Sequence, residues 1–292
     1  MNTTTHRPVL LGTDGCEHST AALEWAVAEA VRRDRDLRVL HAVPVTLGGI
    51  HALPAMEHQE AHAEQVVSET TERAHRLAPD LTVTTVRPVG DAAASLVHES
   101  RTADLVVVGA RGRGAVAGAF LGSTSLHVAG HAHCPVAVVR HRADADTPRT
   151  AVVVGVDGSG NADAALGEAF RLADERGMPL VVVHGSTAAT VGTHLAVVDS
   201  PELRERIAEY ERSSTEHAVA GWRQKYPGVD VDVRVVDEHP VLALTDAAAD
   251  AAILVVGSRG LGGFGGLVLG SVGQGVLHRA QCPVLVVRPE SG

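Results

Sequence analysis

Along the chain, short runs of aliphatic residues alternate with longer stretches in which Ala and Leu recur every three or four positions. The runs are Val9–Thr13, Leu37–Val43, Val83–Arg87, Leu105–Gly109 and Val136–Arg140, then Val152–Val156, Leu180–His184, Val231–Val236, Ile253–Gly257 and Val284–Arg288. Runs this short and this rich in Val read as strands buried on both faces. Between them, "STAALEWAVAEAVRRD" and "NADAALGEAFRLADERG" place their apolar residues at helical spacing, with Ser, Asp or Asn in the first turn as possible caps. Asp91 and Ser123 are expected to cap helices in the same way. Strand and helix alternating in this order give an α/β fold, a parallel sheet covered on both faces.

The ten runs are five runs written twice. "VLLGTDG" from Val9 matches "VVVGVDG" from Val152, which sets Asp14 on Asp157 and His41 on His184, each pair 143 residues apart. Gly109 falls on Gly257, Gly122 on Gly270, and "CPVAVVR" from Cys134 on "CPVLVVR" from Cys282, each 148 residues apart. The second copy therefore carries a net insertion of five residues between its His184 strand and the later motifs, where a loop accommodates it best. The linker "RHRADADTPRT" is charged and broken by Pro148. Two tandem doubly wound domains, residues 1–146 and 147–292, are expected, each a five-stranded parallel sheet with helices on both faces.

The second motif of each copy is a glycine loop. "GARGRGAVAGAFLGST" (Gly109–Thr124) and "GSRGLGGFGGLVLGSV" (Gly257–Val272) both fit G-x2-G-x9-G-S and follow the fourth strand of their half. Glycine lets backbone approach a phosphate without a Cβ in the way. The Gly-Ser pair then opens a helix, whose first N–H groups and positive dipole end favour an anion. Each dipole interaction contributes about 0.3–1 kcal/mol, so several must act together. In an open parallel sheet ligands settle beyond the carboxyl ends of the strands, and Asp14, Asp157, Gly109 and Gly257 all lie at such ends.

Composition narrows the ligand. A formal charge of -10 and only two Trp, two Tyr and three Phe argue against nucleic acid. Lys225, in "RQKYPG", is the single lysine, so no G-K-[ST] Walker loop exists and a Schiff-base lysine is hard to place. Three dispersed cysteines, Cys16, Cys134 and Cys282, form neither a disulfide framework nor a zinc cluster. No leader and no apolar run near 18 residues is evident, so a cytoplasmic protein without a membrane partner is expected.

The paired loops, the Asp ending the first strand and the closing "CPVxVVR" strand resemble the universal stress protein family in its tandem two-domain form. The resemblance spans nearly the whole chain. It implies a strand order of 3-2-1-4-5 and ATP bound without a Walker motif, with Mg²⁺ as a possible companion. Carried over by position, it implies that Asp14 and Asp157 approach the adenosine, with Gly12, Thr13, Gly155 and Val156 among the nucleotide-binding residues. The backbone at Ala42 and Gly185 would meet the adenine edge. Gly109, Gly112, Gly122, Ser123 and Thr124, with Gly257, Gly260, Gly270, Ser271 and Val272, would hold the phosphates. Ala42 and Gly185 stand where the family often has a branched residue, which implies a looser adenine floor. The second loop is the richer in glycine, with Gly262, Gly263, Gly265 and Gly266.

Plainer readings stand beside these. Glycine loops can be turns, and Asp-Gly is a turn signal in its own right. "GLGGFG" (Gly260–Gly265) spells a dinucleotide fingerprint but follows the fourth strand of its half and lacks an acid about 20 residues on. Arg111 and Arg259 could face phosphates or solvent. Cys16 could be redox-active, being placed near a helix start. His58 with His62, and His127 with His131, lie four apart on helix faces but do not recur in the second half, so a solvated face is favoured over a metal. No nucleophile, base and orienter come together, so no catalytic residues are assigned. The expected function is an ATP-binding regulator of the stress response with one site per half. A slow ATPase or phosphoryl- or nucleotidyl-transferring enzyme, and a nucleotide-free interaction module, are the alternatives. The closing strands are expected to pair as an intramolecular counterpart of a homodimer, with further self-association into a homo-oligomer.

Overall fold

A computed structural model describes residues 6–16, 19–45, 53–112, 121–140, 149–186, 201–260 and 269–289. The chain divides into two compact units, Met1–His141 and Arg142–Gly292. The expected boundary at 146 lies outside the described residues.

In the first unit β1 (Val9–Gly12), β2 (Leu37–Leu40), β3 (Val83–Val86), β4 (Leu105–Gly109) and β5 (Val136–Val139) alternate with α1 (Ser19–Arg33), α2 (Leu53–Leu77), α3 (Ala92–Glu99) and α4 (Ser123–His131). The second unit repeats the plan with β6 (Val152–Gly155), β7 (Leu180–Ser186), β8 (Val231–Asp237), β9 (Ile253–Gly257) and β10 (Val284–Val287). Its helices are α5 (Gly160–Arg176), α6 (Pro201–Lys225), α7 (Pro240–Ala247) and α8 (Ser271–Arg279). Within each unit every strand pair is parallel, in the orders β3-β2-β1-β4-β5 and β8-β7-β6-β9-β10, the 3-2-1-4-5 arrangement expected. Helices α1 and α2 pack together, as do α3 and α4, α5 and α6, and α7 and α8. Each sheet is thus covered on both faces.

Burial explains the texture of the strands. Central strands β1 and β6 are flanked by neighbours and helices on every side, and Val9, Leu10, Leu11, Val152, Val153 and Val154 are fully buried. The outer strands are less covered: β3 exposes the adjacent Thr84 and Thr85, and β8 alternates over its first half, exposing Asp232 and Arg234. The run expected to reach Val43 leaves the ladder at Leu40, and Val43 keeps only an isolated bridge to Val89. Pro44 and Pro88 sit beside that bridge and lack the N–H groups a continuing ladder requires.

Caps follow the sequence in one case and depart from it in another. Asp91 Oδ1 accepts from the Ala94 N–H at 2.7 Å and caps α3. Ser159, one residue before the start of α5, caps that helix by accepting from Ala162 N–H at 3.2 Å. Ser123 is not a cap, contrary to expectation: Gly122 holds the extended cap position and Ser123 is the first helical residue. The Gly122 N–H is tied to the Ala110 carbonyl at 2.8 Å, which keeps the backbone extended until residue 122.

The five inserted residues can also be located. Helix α2 begins 12 residues after His41 and α6 begins 17 after His184, while both helices are 25 residues long and stand equally far from the next strand. The insertion therefore falls between β7 and α6. In the seam between α5 and α6, Phe170, Trp222 and Tyr226 stack with centroids 5.9–6.4 Å apart, and Lys225 lies 5.1 Å from the Trp222 ring centroid. Gly167 belongs to this seam, since a Cβ there would sit 2.5 Å from the Trp222 ring.

Equivalent helix ends use different residues. Gly177 ends α5 in the left-handed conformation with φ +59°, and Asp34 takes the same role after α1 with φ +53°. An L-residue is strained there. Asp34→Gly is expected to stabilise the protein by about 1 kcal/mol in urea denaturation, and a loss of stability would show that the Asp34 side chain contributes more than its backbone costs.

Candidate functional site

The end of the first strand is built identically in the two units. The Thr13 N–H donates to the Leu40 carbonyl, and the Val156 N–H to the Val183 carbonyl, both at 3.0 Å, so pairing continues one residue past β1 and β6. Next come Asp14 and Asp157, whose Oδ1 atoms accept from the N–H groups of Cys16 at 3.1 Å and Ser159 at 3.0 Å. Gly15 and Gly158 between them have φ +72° and +82°. These are Asx turns, so the turn role of each Asp is real. It uses Oδ1, while Oδ2 faces the glycine loop.

A histidine braces each turn. His41 Nδ1 lies 2.9 Å from the Thr13 carbonyl and His184 Nδ1 2.9 Å from the Val156 carbonyl. A carbonyl can only accept, so Nδ1 carries a proton in both and Nε2 is the ring nitrogen left for other partners.

The glycine loops leave and return at one point. The Gly122 N–H donates to the Ala110 carbonyl at 2.8 Å, and the Gly270 N–H to the Ser258 carbonyl at 2.9 Å. Helices α4 and α8 start immediately afterwards without a side-chain cap. Their first-turn N–H groups lack the partner that a capping side chain would supply. The second loop glycine has a reason inside the protein: a Cβ on Gly112 would lie 2.7 Å from Asp14 Oδ2, and one on Gly260 would overlap Asp157 Oδ2. Backbone and carboxylate can meet there only because the residue is glycine. Residues 113–120 and 261–268, including Gly262, Gly263, Gly265, Gly266 and all but the first residue of "GLGGFG", lie outside the described residues.

In the second unit these pieces enclose a cavity of about 380 Å³. Gly155, Val156, Asp157, Gly185, Gly257, Gly260, Gly270, Ser271 and Val272 all line it. In the first unit Gly12, Thr13, Asp14, Ala42, Gly109, Gly112, Gly122, Ser123 and Thr124 occupy the matching places on β1, β2, β4 and α4 and the turns that follow. Sequence reasoning left out Arg259, Pro240 and Leu244, which also line the cavity. The signal for Arg259 was its repetition as Arg111. Leu244 has a counterpart in Leu96: each fills the space over a strand-end glycine, where a Cβ on Gly155 or Gly12 would come within 2.9 or 2.8 Å. The floor at Gly185 is not loose, because a Cβ there would meet Pro240 Cα at 2.9 Å and Ala243 Cβ at 3.1 Å. Helix α7 occupies the room that a branched side chain would take.

Other candidate groups are placed elsewhere. His62 lies edge-on to His41 with ring centroids 6.1 Å apart, and His127 and His131 stack at 4.0 Å. Among the described residues no three His, Cys, Asp or Glu side chains are grouped so as to hold a metal ion. Cys16 is partly exposed, while burial, assisted by Asp104, pushes the Cys134 thiol up to about 12. No described helix is long and apolar enough to cross a membrane.

Two doubly wound α/β units, each with a glycine loop returning to an uncapped helix beside an Asx-turn carboxylate, define a duplicated fold without a Walker motif. The universal stress protein family model matches residues 5–140 and 148–288. The chain is 35% identical over 309 residues to the universal stress protein Rv1996 of Mycobacterium tuberculosis, covering 97% of this chain and 96% of that protein. It is also 35% identical over 305 residues to a universal stress protein of Mycolicibacterium smegmatis, covering 99% of each. A crystal structure of a universal stress protein from Archaeoglobus fulgidus shares the fold, with a TM-score of 0.68 at 22% identity over 97% of both chains. The chain belongs to the universal stress protein family, in its tandem two-domain organisation.

Two outcomes follow from this geometry. A Cβ on Gly257 would lie 2.9 Å from the Asn161 carbonyl oxygen, which is backbone and cannot swing aside. Gly257→Ala is expected to cost about 1–3 kcal/mol in urea denaturation. With its thiol near 12, Cys134 is almost wholly protonated at about pH 8. Iodoacetamide is therefore expected to alkylate Cys16 in the folded protein and Cys134 only after unfolding, as read by peptide mass spectrometry.

Proposed function

We propose that each half of this protein binds an adenine nucleotide, ATP in particular, and that the chain acts in the cytoplasm as a nucleotide-dependent regulator of the stress response. One observation carries the assignment: nine residues drawn from four separate segments of the second half line a single cavity, with the uncapped start of α8 among them. Its volume of about 380 Å³ lies in the range of small-molecule sites. Main-chain N–H groups at a helix mouth favour anions whatever the net charge of the protein. The lining fits a nucleotide in sections. Val183, Pro240 and Leu244 offer apolar walls for a base, Asp157 a carboxylate for sugar hydroxyls, and Arg259 with Gly270 and Ser271 a cradle for phosphates.

Asp157 and Arg259 are the titratable side chains of the described lining. The carboxylate can take sugar hydroxyls and the guanidinium phosphate oxygens, whereas hydrolysis needs a positioned base or a held metal. Binding is therefore favoured over turnover. Any Mg²⁺ would arrive with the triphosphate, since a single carboxylate makes a poor resident site.

The test is binding stoichiometry by isothermal titration calorimetry with ATP. Two sites per chain are expected. Gly270→Val with Ser271→Ala should leave one site, Gly122→Val with Ser123→Ala the other, and circular dichroism should stay unchanged. Unaltered stoichiometry in both variants would overturn the assignment. ADP accumulating over hours from purified protein would favour the ATPase.

A further inference from the structure

The second unit holds another cavity, of about 740 Å³, lined by Val156, Asp157, Gly158, His184 and one face of α6 from Arg206 to Ala218. It shares Val156 and Asp157 with the glycine-loop cavity but is walled by α6, whereas the other is walled by α7 and α8.

The two repeats differ most sharply here. Helices α2 and α6 align residue for residue at an offset of 148, which sets Ala63, Val66 and Val67 on Glu211, Ser214 and Thr215. In the first unit these three aliphatic side chains are buried, and Val66 fills the space over the turn, 2.8 Å from a Cβ placed on Gly15. In the second unit a Cβ on Gly158 would meet nothing within 4 Å. A closed core seam has become a largely apolar cavity with a histidine and carboxylates in its lining.

Its chemistry is specific. His184 Nδ1 donates to the Val156 carbonyl, so Nε2 is the ring nitrogen turned toward Glu211, and it accepts whenever it carries no proton. Glu211 Oε1 stands 3.8 Å from that Nε2, too far for a hydrogen bond, while Glu211 Oε2 accepts from Ser186 Oγ at 2.8 Å. Two acceptors therefore face a common gap, and Asp157 adds a second carboxylate to the lining. A group with several N–H donors and a positive charge satisfies both. Val156, Ile207, Ala218 and the Tyr210 ring supply apolar wall beside it. Arg206 and His217, the cationic or ionisable donors of the lining, lie five residues before and six after Glu211, about 7.5 and 9 Å along the helix.

We propose that this cavity binds a small primary amine with an apolar or aromatic body, its ammonium held between His184 Nε2 and the Glu211 carboxylate. The proposal does not require nucleotide binding at the glycine loops, although the two cavities share Val156 and Asp157. Phenethylamine is the probe, observed by saturation-transfer NMR against the full chain, with 2-phenylethanol as its uncharged counterpart. Saturable binding of phenethylamine is expected, at least about tenfold tighter than the alcohol. Glu211→Gln should weaken it about tenfold or more, and Ser214→Val, which restores the first-half residue, should do the same by filling the space. Gly270→Val should leave it unchanged, which separates this site from the nucleotide site. Absence of binding at about 10 mM, equal affinity for amine and alcohol, or unchanged affinity in both α6 variants overturns the proposal. If Glu211→Gln fails to fold by circular dichroism, Ser214→Val decides alone.

Discussion

Parallel pairing of the first strand with both the second and the fourth is the constraint from which the rest of each unit follows. In a parallel sheet all carboxyl ends lie along one edge, so Gly12 is held beside Leu40 and Val108, and Gly155 beside Val183. The turn after the first strand and the loop after the fourth then emerge as neighbours. Strand order reverses at that point, which opens a crevice no crossover helix covers. The Asx carboxylate and the second loop glycine touch because the sheet leaves them no alternative.

Duplication lets one half serve as a control for the other. Pairing at the strand end, the histidine brace, the loop stem and the leucine over the strand-end glycine are the same in both units. These features are geometric, and none depends on which residues line the opposite face. Helices α2 and α6 cover that face, and there the copies part, one keeping a closed aliphatic seam and the other a hollow with a histidine and a glutamate. The sheet tolerates the change because its own strands remain buried: Val152, Val154, Leu180 and Val182 are fully covered despite the adjacent cavity.

Much of this was legible before any coordinates. Valine runs mark strands because a strand covered on both faces has no polar side to show, and repetition at fixed offsets marks the loops because backbone geometry fixes their length. Of the nine second-half residues that share a cavity, Asp157, Gly257, Gly260, Gly270 and Ser271 were marked by the repeat, and Gly155, Val156, Gly185 and Val272 were reached only through the family resemblance. What escaped notice has physical reasons as well. Ser123 looks like a cap by residue type, but the loop stem holds Gly122 in that role, and a main-chain hydrogen bond leaves no trace in composition. Pro240 and Leu244 reach the cavity from a helix that is distant in sequence and not part of the repeated loop. A hollow is harder still to read, because it is made by what is missing, and Ser214 gains meaning only when set upon Val66.

The stacked seam around Trp222 has a practical corollary. The chain contains two tryptophans, Trp25 in α1 and Trp222 in α6, so each half carries its own intrinsic fluorophore. The second sits in a stack with Phe170 and Tyr226 beside the Lys225 ammonium, surroundings that set its emission. Replacing either indole with phenylalanine would leave a chain whose glow reports one half at a time, and the melting of the two copies could be timed separately in a single cuvette.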